Sequence, residues 1–248
     1  MSNNWFDQGA ADYSRYRPHY PAALSEYLAS LAPNRTLAVD VGCGNGQLTQ
    51  QLAGHFSQVA GFDPSAEQIA HTVAHSNITY QCAPAESIPL PDQSASLITA
   101  AQAAHWFDLP VFYNEVRRIA ERGAVLALIS YGVLGLEGEL GKRFAQFYWQ
   151  EIGPYWPAER KLVDEGYQTL AFPFEPVTAP ALSIKLDWDL PAFLGYVSTW
   201  SAVRKAQQDA QQDLLLRFAQ DLAAMWGDAT DTRTISWPIN MRVGKVLS

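Results

Sequence analysis

Basic residues are missing from a whole third of this chain. Between Thr36 and Val116 there is no lysine or arginine, while the same stretch carries Asp40, Asp63, Glu67, Glu86, Asp92, Asp108 and Glu115. A site built for ATP, NADP or another polyphosphate usually sets a basic side chain on the phosphates, so this segment argues against such a ligand. Cysteine is scarce too. Cys43 and Cys82 are the only two in 248 residues, which excludes a disulfide framework or a zinc spacing and suits a reducing, cytoplasmic setting. No apolar run approaches the length of a membrane span. The opening MSNNWFDQGAADYSRYRPHYP is polar and aromatic and lacks the apolar core of a signal peptide. A net charge of −8 argues against nucleic acid as the main partner. There is no internal repeat and no low-complexity linker.

What is present is a rhythm. TLAVDVG (36–42), QVAGFD (58–63), NITYQC (77–82), SLITAA (96–101) and GAVLALISY (123–131) are short apolar runs, and the last is apolar throughout, as a strand covered on both faces should be. Helical segments separate them. One runs from about Gln47 to Ala53; one opens at the S-x-x-Q capping box of Ser65 and Gln68; one is capped by Asp108 and carries Phe112, Val116 and Ile119. Strands alternating with helices predict right-handed βαβ units and a doubly wound, mostly parallel sheet of the Rossmann-like α/β class.

After Tyr131 the pattern changes. Residues 138–168 read as helical and aromatic, and ALSIKLDW (181–188) as a strand. Asp189 and Pro191 open a helix with Phe193, Leu194, Val197 and Trp200, and an amphipathic helix with Leu214, Leu215, Phe218, Leu222, Met225 and Trp226 ends at Gly227. A closing antiparallel strand is expected over 232–246, with Pro238 at an edge or bulge. The expected organisation is one domain over 1–248: an N-terminal segment 1–35, a ligand-binding core 36–131, a helical cap insertion and late strand 132–230, and a closing strand 231–248, giving seven strands in all.

The first strand ends in VDVGCGNG, with glycines at 42, 44 and 46. In an open α/β sheet, ligands bind beyond the carboxyl ends of the strands. The dinucleotide fingerprint G-x-G-x-x-G would need a glycine at 47, where this chain has Gln47. D-x-G-x-G-x-G at a strand end is a different and more specific pattern, and its carboxylate, Asp40, suits a cation better than a phosphate.

VDVGCGNGQLT, the strand-end acid of GFDPS, and APAESIPLPDQS stand in an order and spacing that resembles the class I S-adenosylmethionine-dependent methyltransferases. The flanking YSRYRPHYP (13–21) and QAAHWFD (102–108), with the later YVSTWSAV (196–203), are similar to small-molecule methyltransferases related to trans-aconitate methyltransferase. The cofactor this implies, S-adenosylmethionine, is cationic at its methionine end, which fits Asp40 and the missing lysines. By this resemblance Gly42 and Gly44 lie against the methionine moiety and Asp63 accepts the ribose hydroxyls. Ala85 and Glu86 sit beside the adenine, Gln102 flanks the amino-acid portion, and Tyr13 and Arg17 cover the cofactor.

The implied reaction moves a methyl group to a small-molecule acceptor, an organic acid or a hydrophobic metabolite. His105 is the candidate catalytic residue: it can act as a base near neutral pH or donate a hydrogen bond to the acceptor, and a packed histidine at a helix start is the competing reading. Trp106, Tyr196, Trp200 and Arg204 are candidates for the acceptor pocket. Glu67, His71 and His75 fall at i, i+4 and i+8 on one expected helix, a plausible metal-ligand face, although a solvated outer face is the simpler reading and no metal is expected. Two other functions stay open at this level: a cofactor-binding regulatory or interaction protein without turnover, and a nicotinamide-dependent oxidoreductase.

Overall fold

The computed structural model describes residues 18–209 and 213–246; Tyr13 and Arg17 lie outside them. By internal contacts the chain divides into two compact units. One is built from His19–Gly132, Lys161–Ser183 and the closing segment from Pro238; the other includes Val133–Arg160 and Ile184–Trp237.

The first unit holds α1 (Ala22–Leu31), β1 (Leu37–Val41), α2 (Gln47–Ala53), β2 (Gln58–Asp63), α3 (Ala66–Ala70), β3 (Ile78–Cys82), β4 (Ala95–Ala101), α4 (Leu109–Ile119) and β5 (Ala120–Tyr131). Most of α6 (Arg160–Asp164) and all of β6 (Glu175–Val177) also belong to it, together with the second part of β8 (Arg233–Lys245). The sheet order is β3-β2-β1-β4-β5-β8-β6, with β7 (Leu182–Trp188) pairing β8 outside that path. The first four pairings are parallel, and β8 runs antiparallel to β5 and β6. The order reverses at β1 and β4, which is where an open α/β sheet places its ligand crevice.

The strands follow from their sequences. LAVDV of β1 and ASLITAA of β4 are buried almost throughout because helices cover both faces. Helix α4 buries Phe112, Tyr113, Val116 and Ile119, a stripe at helical spacing, and Asp108 caps it by accepting from the Val111 N–H. Each such side chain, fully buried, contributes about 1.5–3 kcal/mol. Arg118, at the end of α4, donates to Glu115, Asp92 and the carbonyls of Ile88 and Leu90, which ties the loop 88–92 to the helix.

The second unit is mainly helical. It contains α5 (Gly138–Gln146), a π-helical turn at Phe147–Glu151, α7 (Leu190–Ser198), α8 (Ser201–Gln208) and α9 (Asp213–Trp226). Phe147 stacks on Phe218 with ring centres 3.9 Å apart, and Phe193 tilts against Trp226 at 5.8 Å. Arg143 bridges Glu151 and Asp221 at 2.9 and 2.8 Å.

Several sequence expectations need correction. The expected seven strands become eight, because the three-residue β6 is too short to leave a periodic signal. The region 138–168 is not continuously helical. Helix α7 stops at Ser198, so Trp200 stands outside it and precedes α8. Pro238 falls just beyond the residues of β8 that pair with β5, its carbonyl accepting from the Gly132 N–H, while β6 pairs β8 only at 243–245. Helix α3 ends at Ala70, so Glu67, His71 and His75 share no helix face, and no group of three His, Cys, Asp or Glu suited to a metal occurs among the described residues.

Candidate functional site

The loop after β1 uses its three glycines for different purposes. All three have positive φ. A Cβ on Gly42 would lie 2.4 Å from the Ala103 Cβ and 3.2 Å from the Phe107 ring, so this glycine lets the loop after β4 press against the loop after β1. A Cβ on Gly46 would meet the Tyr80 hydroxyl and ring, which lie across both Gly46 and Gly61. Gly44 is different: the nearest atom to its imagined Cβ is the Gln68 Oε1 at 3.7 Å. The outer glycines serve packing. The middle one leaves room for a ligand at the backbone.

The loop's amides are engaged inside the protein. Gly42 and Cys43 donate to the Phe62 carbonyl at 2.7 and 3.0 Å, Gly46 donates to the Cys43 carbonyl at 2.9 Å, and Gly44 donates to Asp63 Oδ2 at 2.9 Å. A phosphate cradle needs such N–H groups turned toward the ligand. These four are not, which gives the missing lysines a structural counterpart.

Asp63 ends β2 and is 9 % exposed. Its Oδ2 accepts from Gly44 and its Oδ1 accepts from the Ser65 N–H at 2.9 Å. A carboxylate has about four lone-pair sites, so both oxygens keep capacity for hydroxyl donors.

Asp40 departs from its expected place. It is 1 % exposed, and its two oxygens accept from the Thr49 and Thr99 hydroxyls at 2.7 and 2.8 Å. The residue fastens β1 to α2 and β4 beneath the loop and offers a ligand its charge, not a contact. Burial pushes its carboxyl up to about 6, against the lowering effect of the two hydroxyls. Because the raised value belongs to the folded state, this group's stabilising share is complete below about pH 4 and is lost as pH rises through about 6. Asp40→Asn should remove that dependence. Between pH 4 and 7 the urea unfolding free energy of the natural protein should fall relative to the variant by about 2–3 kcal/mol; parallel pH profiles would exclude a buried carboxyl titrating there.

Glu86 is also engaged elsewhere. Its Oε1 accepts from the Asp108 N–H at 2.8 Å, which fastens the loop after β3 to the loop after β4, and Ala85 is buried in the core. Gln102 takes a left-handed backbone (φ 55°), its N–H donating to the Ile129 carbonyl and its Nε2 to the Tyr131 carbonyl at 3.3 Å. Strain of this kind in a non-glycine residue concentrates at functional sites. His105 lies in the short 3₁₀ turn Ala104–Trp106, with its Nδ1 2.8 Å from the Tyr167 hydroxyl, while Trp106 is 63 % exposed and tilts against the His105 ring. Burial pushes the Cys43 thiol up, away from a nucleophile's range.

The structure therefore gathers Gly42, Gly44, Asp63, Glu86, Gln102 and His105 in the loops after the carboxyl ends of β1, β2, β3 and β4. Tyr196, Trp200 and Arg204 belong to the helical unit. There Tyr196 meets Trp200 edge-on at 5.5 Å, and Arg204 donates to the Thr199 carbonyl at 3.0 Å. Sequence reasoning missed Thr49, Tyr80, Thr99 and Tyr167. Of these only Thr99 carried a signal, as a polar residue in the middle of an apolar strand.

A family model for a methyltransferase domain matches residues 39–128. A protein of Dictyostelium discoideum named as a methyltransferase is 34 % identical over 247 residues, covering 98 % of this chain and 94 % of that one. Among solved structures, a protein of Anaeromyxobacter dehalogenans described as a type II methyltransferase is 42 % identical. It superposes with a TM-score of 0.89, over 93 % of this chain and 98 % of the other. One from Bacillus halodurans, at 17 % identity and a TM-score of 0.52 over 92 % and 99 % of the two chains, shares the fold.

Proposed function

We propose a small-molecule acceptor, an organic acid or hydrophobic metabolite, for this chain, which belongs to the class I S-adenosylmethionine-dependent methyltransferases and uses S-adenosylmethionine as its methyl donor. One observation carries the assignment of the site: an open glycine backbone at Gly44 beside the Asp63 carboxylate, in a loop with four amides engaged internally and within a stretch, 36–116, that has no lysine or arginine. That arrangement fits a cationic nucleoside and disfavours a polyphosphate.

In this reading the Gly44 backbone lies against the methionine moiety, with Gly42 packing the loop behind it, and Asp63 takes the ribose hydroxyls with its remaining lone pairs. Ala85 lies toward the adenine, Gln102 flanks the amino-acid end, and Tyr13 and Arg17 cover the cofactor. Asp40 contributes charge from below the loop. Glu86 acts by holding the loop that carries His105. The cofactor supplies an activated methyl group whose transfer cancels the sulfonium charge. The residues of this chain hold the acceptor in line and exclude water, effects able to supply several kcal/mol. In this reading His105 and Trp106 lie at the acceptor. The motifs at 13–21, 102–108 and 196–203 support the trans-aconitate methyltransferase-related group as the nearest functional model. Charge and cysteine content support a cytoplasmic protein without a nucleic-acid partner, and no helix among the described residues is long and apolar enough to cross a membrane.

The regulatory and nicotinamide readings are not favoured, since the relatives matching nearly the full chain are named as methyltransferases. Calorimetric titration decides the point. S-adenosylmethionine and S-adenosylhomocysteine should both bind with micromolar affinity, and NADH should give no heat. Folded protein that binds neither sulfur nucleoside would overturn the reading.

A further inference from the structure

Helix α4 has a second side. Its inner stripe, Phe112, Tyr113, Val116 and Ile119, belongs to the core. Its outer side borders a cavity of about 350 Å³ walled by Leu109, Pro110, Ala171 and Pro173, with Asn114 and Arg117 as its polar members. All of these residues belong to the same compact unit. The cavity has a fixed frame. The Tyr113 hydroxyl donates to the Ala171 carbonyl at 2.6 Å, and the Tyr113 ring meets Phe172 and Phe174 edge-on at 6.4 and 5.2 Å. The two prolines bring rigid walls with no N–H in need of a partner. Small-molecule sites span about 300–1,000 Å³, so this one suits a ligand at the small end of that range.

Two consecutive arginines on α4 stand in opposite states. Arg118 is saturated, donating to Glu115, Asp92 and two backbone carbonyls. Arg117 reaches only the Tyr113 carbonyl, at a long 3.4 Å, and its guanidinium carbon lies 5.1 Å over the Phe174 ring. No carboxylate among the described residues pairs with it, although acids outnumber bases 25 to 17 in the chain. Most of its five N–H donors therefore have no partner among the described residues, and the same holds for the Asn114 amide.

We propose that this cavity is an accessory binding site for a small monocarboxylate with an apolar body. The guanidinium fork matches a carboxylate through two parallel hydrogen bonds, and its packing on Phe174 restrains it before the ligand arrives. The apolar body displaces water from the proline, leucine and alanine walls. A second negative charge on the ligand would fall against those walls without a partner, which disfavours diacids and phosphates. The site is separate from the crevice, since Gly42, Gly44, Asp63, Glu86, Gln102 and His105 take no part in it. Arg117 is the first basic residue after the stretch 36–116, so an anion site here leaves the base-free crevice as described. The inference does not rest on the methyltransferase reading.

Ligand-observed ¹⁹F NMR on the full chain tests it with three probes of one shape: 4-fluorobenzoate, 4-fluorobenzyl alcohol and 4-fluorobenzylamine. The benzoate should bind with a Kd of about 1 mM or tighter, and the alcohol and the amine at least fivefold more weakly. Arg117→Gln, a change at an exposed side chain, should melt within a few degrees of the natural protein and weaken the benzoate at least fivefold. Ala171→Leu, which fills the cavity and leaves Arg117 in place, should weaken it as much. No binding of the benzoate, or equal affinity for the alcohol or the amine, would overturn the proposal. So would an unchanged benzoate affinity in either folded variant, because the anion would then sit elsewhere on the protein.

Discussion

Gly42→Ala should lower the stability of this protein by about 3 kcal/mol, combining a left-handed backbone penalty of about 1–2 kcal/mol with overpacking of about 1–3 kcal/mol. The added methyl group would arrive 2.4 Å from the Ala103 Cβ, which is fixed to its backbone, with the Phe107 ring behind it. Relief requires the loop 102–108 to move away from the loop after β1, taking His105 with it. For a chain of this size that loss is a fall in melting temperature of about 6–12 °C. Gly44→Ala makes the informative contrast. Its φ is also positive, but its Cβ meets nothing closer than 3.7 Å, so only the backbone penalty applies. Gly44→Ala should melt within a few degrees of the natural protein yet bind S-adenosylmethionine at least tenfold more weakly, about 1.4 kcal/mol, because the methyl group fills the space the cofactor needs. Equal melting losses in the two variants, by differential scanning calorimetry, would remove the distinction between a packing glycine and a binding one.

Asp63→Ala should also weaken S-adenosylmethionine binding by at least tenfold, or about 1.4 kcal/mol. Two effects add. In the proposed binding mode the ribose hydroxyls lose their acceptor, and the amides of Gly44 and Ser65 lose the carboxylate that holds the loop and the start of α3 in place. Asp63→Asn keeps one carbonyl oxygen and should fall between the two. The measurement is calorimetric titration on variants whose folding is confirmed by circular dichroism. Unchanged affinity in folded Asp63→Ala would show that the carboxylate serves the loop alone and that the ribose lies elsewhere.

Legibility divides along physical lines. The alternation of strands and helices, the Asp108 and Asp189 caps and the buried stripe of α4 could be read directly, since each depends on side chains within a turn or two of one another. The glycine loop could be read for the same reason: a strand end followed by three glycines is a local fact. The lack of lysine and arginine around it was visible in the sequence, and the structure supplied the matching geometry in amides already engaged. Helix α3 was misjudged in length because its capping box marks a start and says nothing of a stop.

The sequence by itself determined the fold class and the class of cofactor. Only the tertiary structure decided what individual polar groups do there. Asp40 turned out to fasten strands through Thr49 and Thr99, Glu86 to hold the amide of Asp108, and Tyr167 to reach His105, over sequence separations of 59, 22 and 62 residues in the longest of these contacts. A carboxylate or a hydroxyl announces in sequence only that it must find a partner. Which partner it finds depends on the angle and spacing at which distant strands and loops are brought together, and packing sets those.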